Sequence, residues 1–124
     1  MGEGAISLVE VLRLLHNPRC SKSRAALVLL EARGVPVEVV EYLKAPLDHA
    51  ALVRLREKLG LPPSRWVRTS EAEYSRAGLT AASTEDEILD AMAAHPLLVE
   101  RPIAIRGPRA VVGRPPERVL ELLA

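Results

Sequence analysis

The stretch His16-Asn17-Pro18-Arg19-Cys20-Ser21-Lys22-Ser23-Arg24 holds the only cysteine of the chain. Arg19, Lys22 and Arg24 surround it, and His16 stands four positions upstream. The thiolate is the reactive form of cysteine, and a free thiol ionises only near pH ~8.5. Positive charge lowers that value. So does a helix N-terminus, with its unpaired N–H groups and positive dipole end. The same features bind anions. The types and spacing therefore predict a low-pKa nucleophile beside a place for an anionic substrate. The competing reading is a buried cysteine acting as a small hydrophobe. Polar and charged neighbours, at a turn after a strand, favour the reactive thiol.

Cys20-Ser21-Lys22-Ser23 has the C-x-x-S spacing. In a C-x-x-C pair the second sulfur resolves the first, which serine cannot do. An adduct on Cys20 must be cleared by an outside thiol, such as glutathione or a partner protein. A single cysteine also excludes an internal disulfide and a multi-cysteine metal site. His16, His49 and His95 are far apart and lack ligand spacing, so metal binding is not expected.

The elements that must position the cysteine are legible around it. VEVLRLL, 9–15, is rich in branched apolar residues and ends at the turn signal Asn17-Pro18, which reads as a buried strand. SKSRAALVLLEARG starts with serines and ends on Gly34, which reads as a helix. PVEVVEY, 36–42, reads as a second strand. Cys20 thus falls at the first strand-to-helix turn.

The middle is helical. Asp48 is placed to cap a helix that Gly60 ends, with Leu52, Leu55 and Leu59 at helical spacing. PPSRWVR reads as a short helical turn. Ser70 with Glu73 and Thr84 with Glu87 have capping-box spacing, predicting helices near 71–77 and 85–95. PIAI, 102–105, and RAVV, 109–112, flank Gly107-Pro108 and read as a hairpin; PPERVLELL closes the chain with a helix that starts on proline. A βαβ unit and a ββα unit give an α/β fold, a four-stranded mixed sheet of thioredoxin-like arrangement with a helical insertion at about 46–98 between the halves. The sheet order is set by analogy with known folds. One domain over 1–124 is expected, with the first ten residues a frayed lead-in.

The totals bound the function. The formal net charge of +1 argues against a dedicated nucleic-acid binder. No run of 18 apolar residues is present, so a membrane span is not expected. The start, MGEGAISLVEVLRLLHN, lacks signal-peptide features, and a cytoplasmic monomer is expected. Fourteen of the seventeen basic residues are arginine, which a compositional bias rich in Ala, Leu and Pro also explains. Each arginine must therefore be argued singly. By default an arginine is a solvated surface group, and Arg65, Arg76, Arg106, Arg109 and Arg118 are read so. His49 and His95 read as helix-end residues, and Trp66 and Tyr74 as packing or rim residues. His16 reads equally well as a plain histidine at a strand end.

HNPRCSKSR, VEYLKAP, AHPLLVERPI and GRPPERVLELL, taken in order, resemble the glutaredoxin-dependent arsenate reductase (ArsC) family, a group that includes Spx-like proteins. The resemblance runs from about Val11 to Leu123. It implies a thioredoxin-like fold with a helical insertion. It implies that Cys20 is the nucleophile that attacks arsenate. Arg101, Arg114 and, in a less similar stretch, Arg68 would be the arginines that hold the oxyanion. His16 and Ser23 would help keep the cysteine ionised, and Pro102 would be the cis proline facing it. It also implies glutathione as co-substrate, with no bound cofactor, and glutaredoxin as partner. Two alternatives stay open: a glutathione-dependent thiol reductase with another substrate, and a Spx-like regulator of RNA polymerase. A redox switch of the second kind needs C-x-x-C, and Ser23 stands where the second cysteine would be.

Overall fold

The structure is a computed structural model that describes residues 11–123. Two compact units emerge. One draws its described residues from Met1–Glu41 and Arg101–Ala124, the other is Tyr42–Glu100.

The first unit carries the sheet. Strand β1 (Leu12–Leu15) pairs in parallel with β2 (Val37–Val40) and antiparallel with β3 (Ile103–Arg106), which pairs antiparallel with β4 (Arg109–Val112). The order is β2-β1-β3-β4, the mixed four-stranded sheet expected. Helix α1 (Ser21–Ala32) follows β1 and ends near Gly34, whose φ of 69° is the left-handed conformation glycine accepts without penalty. The register puts Leu12, Leu14, Ala104 and Val111 on one face, where Ala26 and Leu30 of α1 and Val119 and Leu122 pack against them. Burying such side chains is the main drive for this unit, at about 1.5–3 kcal/mol each for the larger ones. The strands are shorter than expected: β2 stops at Val40, and β3 begins one residue after Pro102. Proline lacks the N–H that a ladder needs. The expected lead-in, and the start of the expected strand at residue 9, lie outside the described residues.

The C-terminal segment differs in kind from the expected helix. Pro116–Leu123 is a 3-10 helix. In that form side chains three apart eclipse. Val119 and Leu122 thereby line up and both reach the core. Its carbonyls are taken by the hairpin: Arg106 Nη1 donates to Leu122 O at 3.0 Å and Arg109 Nη2 to Glu121 O at 3.1 Å. These two arginines are anchors rather than the solvated groups expected.

In the second unit, α2 (His49–Leu59) starts at Asp48, whose carboxylate accepts from the Ala51 N–H at 2.8 Å, and ends at Gly60 with φ 67°. A short α3 (Ala72–Arg76) and α4 (Glu85–Ala94) follow. Thr84 and Glu87 form the predicted capping box. Ser70 does not cap α3: the N-cap is Glu71, because the chain first turns back through Glu71 N–H to Arg68 O. Leu52, Leu55, Trp66, Ile88, Leu89 and Leu98 are buried, and Trp66 donates its indole N–H to Leu61 O. Tyr42, which the sequence did not single out, is fully buried with its hydroxyl donating to Val99 O at 3.3 Å.

Candidate active site

Cys20 is the N-cap of α1, with φ −95° and ψ 123°. The turn that presents it is built by Asn17. The Asn17 carbonyl accepts from Cys20 N–H at 2.9 Å, and its side-chain Oδ1 accepts from Arg19 N–H at 3.0 Å. Proline at 18 suits this turn, since its fixed φ needs no partner for a missing N–H. The sequence marked Asn17-Pro18 only as a stop; its hydrogen bonds make Asn17 the residue that sets the position of the sulfur.

Cys20 is half-buried, and burial raises its pKa. The backbone N–H groups of Ser23 and Lys22 and the guanidinium of Arg101 oppose this, and together they hold the thiol below its ordinary value. Arg114 adds a donor, with Nη2 3.7 Å from Cys20 Sγ. The positive field that the sequence placed on Arg19, Lys22 and Arg24 is therefore drawn from elsewhere. Lys22 acts through its backbone, Arg24 donates to Pro18 O at 2.8 Å, and the cations against the sulfur come from the far half of the chain.

The two arginines arrive from adjacent strand ends. Arg101 and Pro102 lead into β3, and Gly113 and Arg114 lead out of β4. The bonds Arg101–Pro102 and Arg114–Pro115 are both cis, the first as the resemblance implies. Arg114 Nε donates to Arg101 O at 2.8 Å, so one guanidinium both fixes its neighbour and faces the sulfur. Its planar fork suits this double task.

Behind the cysteine lies a buried polar set. Ser23 is fully buried and His16 nearly so. Ser23 Oγ is 2.6 Å from His16 Nδ1 and accepts from Asn17 N–H at 3.1 Å. Burial lowers the His16 pKa, Glu41 pulls it back up, and Arg24 presses it down; the net direction is down, toward a neutral ring at pH 7. With its proton on Nε2, that ring accepts the Ser23 hydroxyl proton at Nδ1. Ser23 is thus tied at both hydroxyl functions while its N–H serves the sulfur.

Arg68 belongs to the other unit. There Nη1 pairs with Glu100 at 2.8 Å and Nε with Glu71 at 3.3 Å, and its N–H donates to Leu98 O at 2.7 Å. Cys20, Arg101, Arg114, His16, Ser23 and Pro102 all belong to the sheet-bearing unit. Among the described residues, no group of three or more His, Cys, Asp or Glu is placed to hold a metal ion.

The ArsC family model matches residues 15–122. The chain belongs to the ArsC family. It is 46% identical over 114 residues to the arsenate reductase of Neisseria meningitidis serogroup A, covering 90% of this chain and 97% of that one. Against the arsenate reductase of Haemophilus influenzae it is 39% identical over 112 residues, covering 89% and 97%. The structure of the arsenate reductase from Vibrio cholerae superposes with a TM-score of 0.84 at 42% identity, covering 90% of this chain and 96% of that one. The thioredoxin-like fold expected from the sequence is the fold of these ArsC relatives. Among the described residues no helix is long and apolar enough to cross a membrane.

Proposed function

We propose that this ArsC-family protein is an arsenate reductase, with Cys20 as nucleophile and glutathione and glutaredoxin as reductants. One observation carries the reading: a thiolate-stabilising helix N-cap whose sulfur also meets the guanidinium groups of Arg101 and Arg114. Arsenate is a tetrahedral oxyanion, and an anionic thiolate approaching it meets repulsion. Two guanidinium groups beside the sulfur offset that repulsion and pair with the oxygens through charge-assisted hydrogen bonds. Because they are held in place before reaction, they also stabilise charge as it develops on those oxygens.

In this reading Cys20 attacks arsenic and a hydroxyl leaves as water, forming a sulfur–arsenic bond. Glutathione then displaces a second oxygen as water and adds a second sulfur. Glutaredoxin takes the glutathione sulfur as a mixed disulfide, and the two electrons from that sulfur–sulfur bond formation reduce arsenic(V) to arsenic(III). Water releases arsenite and regenerates Cys20. The absence of a second cysteine in the chain supports this use of outside thiols. Arg68 is proposed as a third oxyanion contact, on its match to the family pattern.

A thiol reductase acting on mixed disulfides would use the same thiolate but has no tetrahedral anion to hold, so the paired arginines favour the oxyanion. The test is NADPH-coupled arsenate reduction with glutathione, glutaredoxin and glutathione reductase, with Cys20→Ser alongside. Turnover that disappears in the variant is expected. Equal turnover by Cys20→Ser overturns the reading, and a reactive Cys20 with no arsenate turnover moves the chemistry to another substrate.

A further inference from the structure

Gly113 separates β4 from Arg114, and its φ does not lie in the left-handed region. Its backbone conformation is open to any residue, so conformational freedom does not explain a glycine here. Space does. A Cβ at this position would lie 2.8 Å from Pro102 Cγ and 2.8 Å from Val119 Cγ1. Carbon atoms pack at about 3.5–4.0 Å. Neither neighbour yields easily: one is a closed proline ring, the other a β-branched side chain with no exposed surface.

The backbone makes the same point. Continuing the β3–β4 register past Ile103↔Val112 sets Pro102 opposite Gly113. The Gly113 N–H donates to Pro102 O at 2.8 Å. Proline has no N–H to return the bond, so this pair is tied once where an ordinary ladder pair is tied twice. The residues next along on either side are Arg101 and Arg114, joined by Arg114 Nε to Arg101 O.

We propose that Gly113 is a positioning residue for the thiolate site: its missing side chain lets the end of β4 close onto Pro102, and that closure sets both guanidinium groups on the Cys20 sulfur. A side chain at 113 has to push the end of β4 off Pro102, and Arg114 moves with it. The Arg114 contact to sulfur, already long at 3.7 Å, is the one lost first. The proposal rests on Cys20 being a stabilised thiolate and is independent of which oxyanion the site takes.

The test reads the thiol directly. Iodoacetamide alkylation of Cys20 is followed against pH in the wild type, Gly113→Ala, Gly113→Ala/Val119→Ala and Leu30→Ala. Leu30→Ala truncates the same core away from the strand ends and controls for lost stability. Gly113→Ala is expected to raise the apparent Cys20 pKa, and a rise of one unit slows alkylation about tenfold at pH values below the wild-type pKa. Room made by Val119→Ala restores part of the rate. Leu30→Ala loses melting temperature with an unchanged alkylation profile. A wild-type profile in Gly113→Ala, whatever its melting temperature, overturns the proposal. If the single variant does not fold, the double variant is read instead: its alanine still meets Pro102, so only part of the wild-type rate is expected, and a full wild-type profile there overturns the proposal. Arsenate turnover enters none of these readouts, so a failed substrate assignment leaves the result interpretable.

Discussion

The guanidinium of Arg114 spans two groups, with Nη2 3.7 Å from Cys20 Sγ and Nε on the Arg101 carbonyl at 2.8 Å. Lysine has one point charge and cannot serve both. Arg114→Lys is therefore expected to keep most of the positive charge and still lose the geometry. A hydrogen bond to a charged group is worth about 1.5–3 kcal/mol, so arsenate kcat/KM should fall roughly 10- to 100-fold. Steady-state kinetics of Arg114→Lys check this, and wild-type kcat/KM in that variant would show that charge alone suffices.

The pH dependence of Cys20 has a defined sign. Its folded pKa is depressed, so the thiolate contributes stability that is present above the unfolded thiol value and is lost as pH falls through the folded pKa. The melting-temperature advantage of the wild type over Cys20→Ser should therefore grow as pH rises across the range between the two values. Alkylation should reach half its maximal rate below the ordinary thiol pKa of ~8.5. Thermal melts of both proteins over a pH series, with alkylation rates, test the two statements together.

His16 behaves in the same direction for a different reason. Burial lowers its pKa despite the opposing pull of Glu41. A folded value below the unfolded ~6.5 means that stability is complete above that pH and is lost as pH falls toward the folded value. His16→Gln should flatten this acid limb. Ser23→Ala should cost about 1–3 kcal/mol, because the His16 ring nitrogen and the Asn17 N–H both lose a buried partner. Denaturant melts at neutral and mildly acidic pH separate the two variants.

How much of this site could be read from the chain depends on range. Local rules placed Cys20 at a helix start, Asp48 and Gly60 at the ends of α2, and Thr84 with Glu87 in a capping box, since each needs residues only a few positions apart. Ser70 fitted the same spacing, yet α3 starts one residue later, because the turn from Arg68 to Glu71 fixes where the helix begins. Periodicity gave no route to the Arg114–Cys20 contact, which joins residues 94 apart in sequence. Arg101 and Arg114 were singled out by likeness to a family; their convergence follows from the β3–β4 pairing. Arg106 and Arg109 look like any surface arginine until the 3-10 helix brings its carbonyls to them. Gly113 carried no signal beyond preceding Arg-Pro-Pro, since its need is for space against groups distant in sequence.

Arg68 gives a prediction in which stability and substrate binding separate. Its guanidinium is mostly buried between the carboxylates of Glu71 and Glu100. Removing it takes one guanidinium away from two partly buried carboxylates, so Arg68→Ala should lower the melting temperature. If Arg68 also holds the oxyanion as proposed, arsenate KM should rise roughly tenfold, the loss of one charge-assisted hydrogen bond. The Cys20 alkylation profile should not move, because the Arg68 side chain is not among the groups that stabilise the thiolate. Adding Glu71→Gln to Arg68→Ala removes one of the two negative charges that Arg68 paired with and should recover melting temperature without recovering KM. Recovery of both together would mean that Arg68 acts only by supporting its own unit, and the oxyanion would then be held by Arg101 and Arg114 alone.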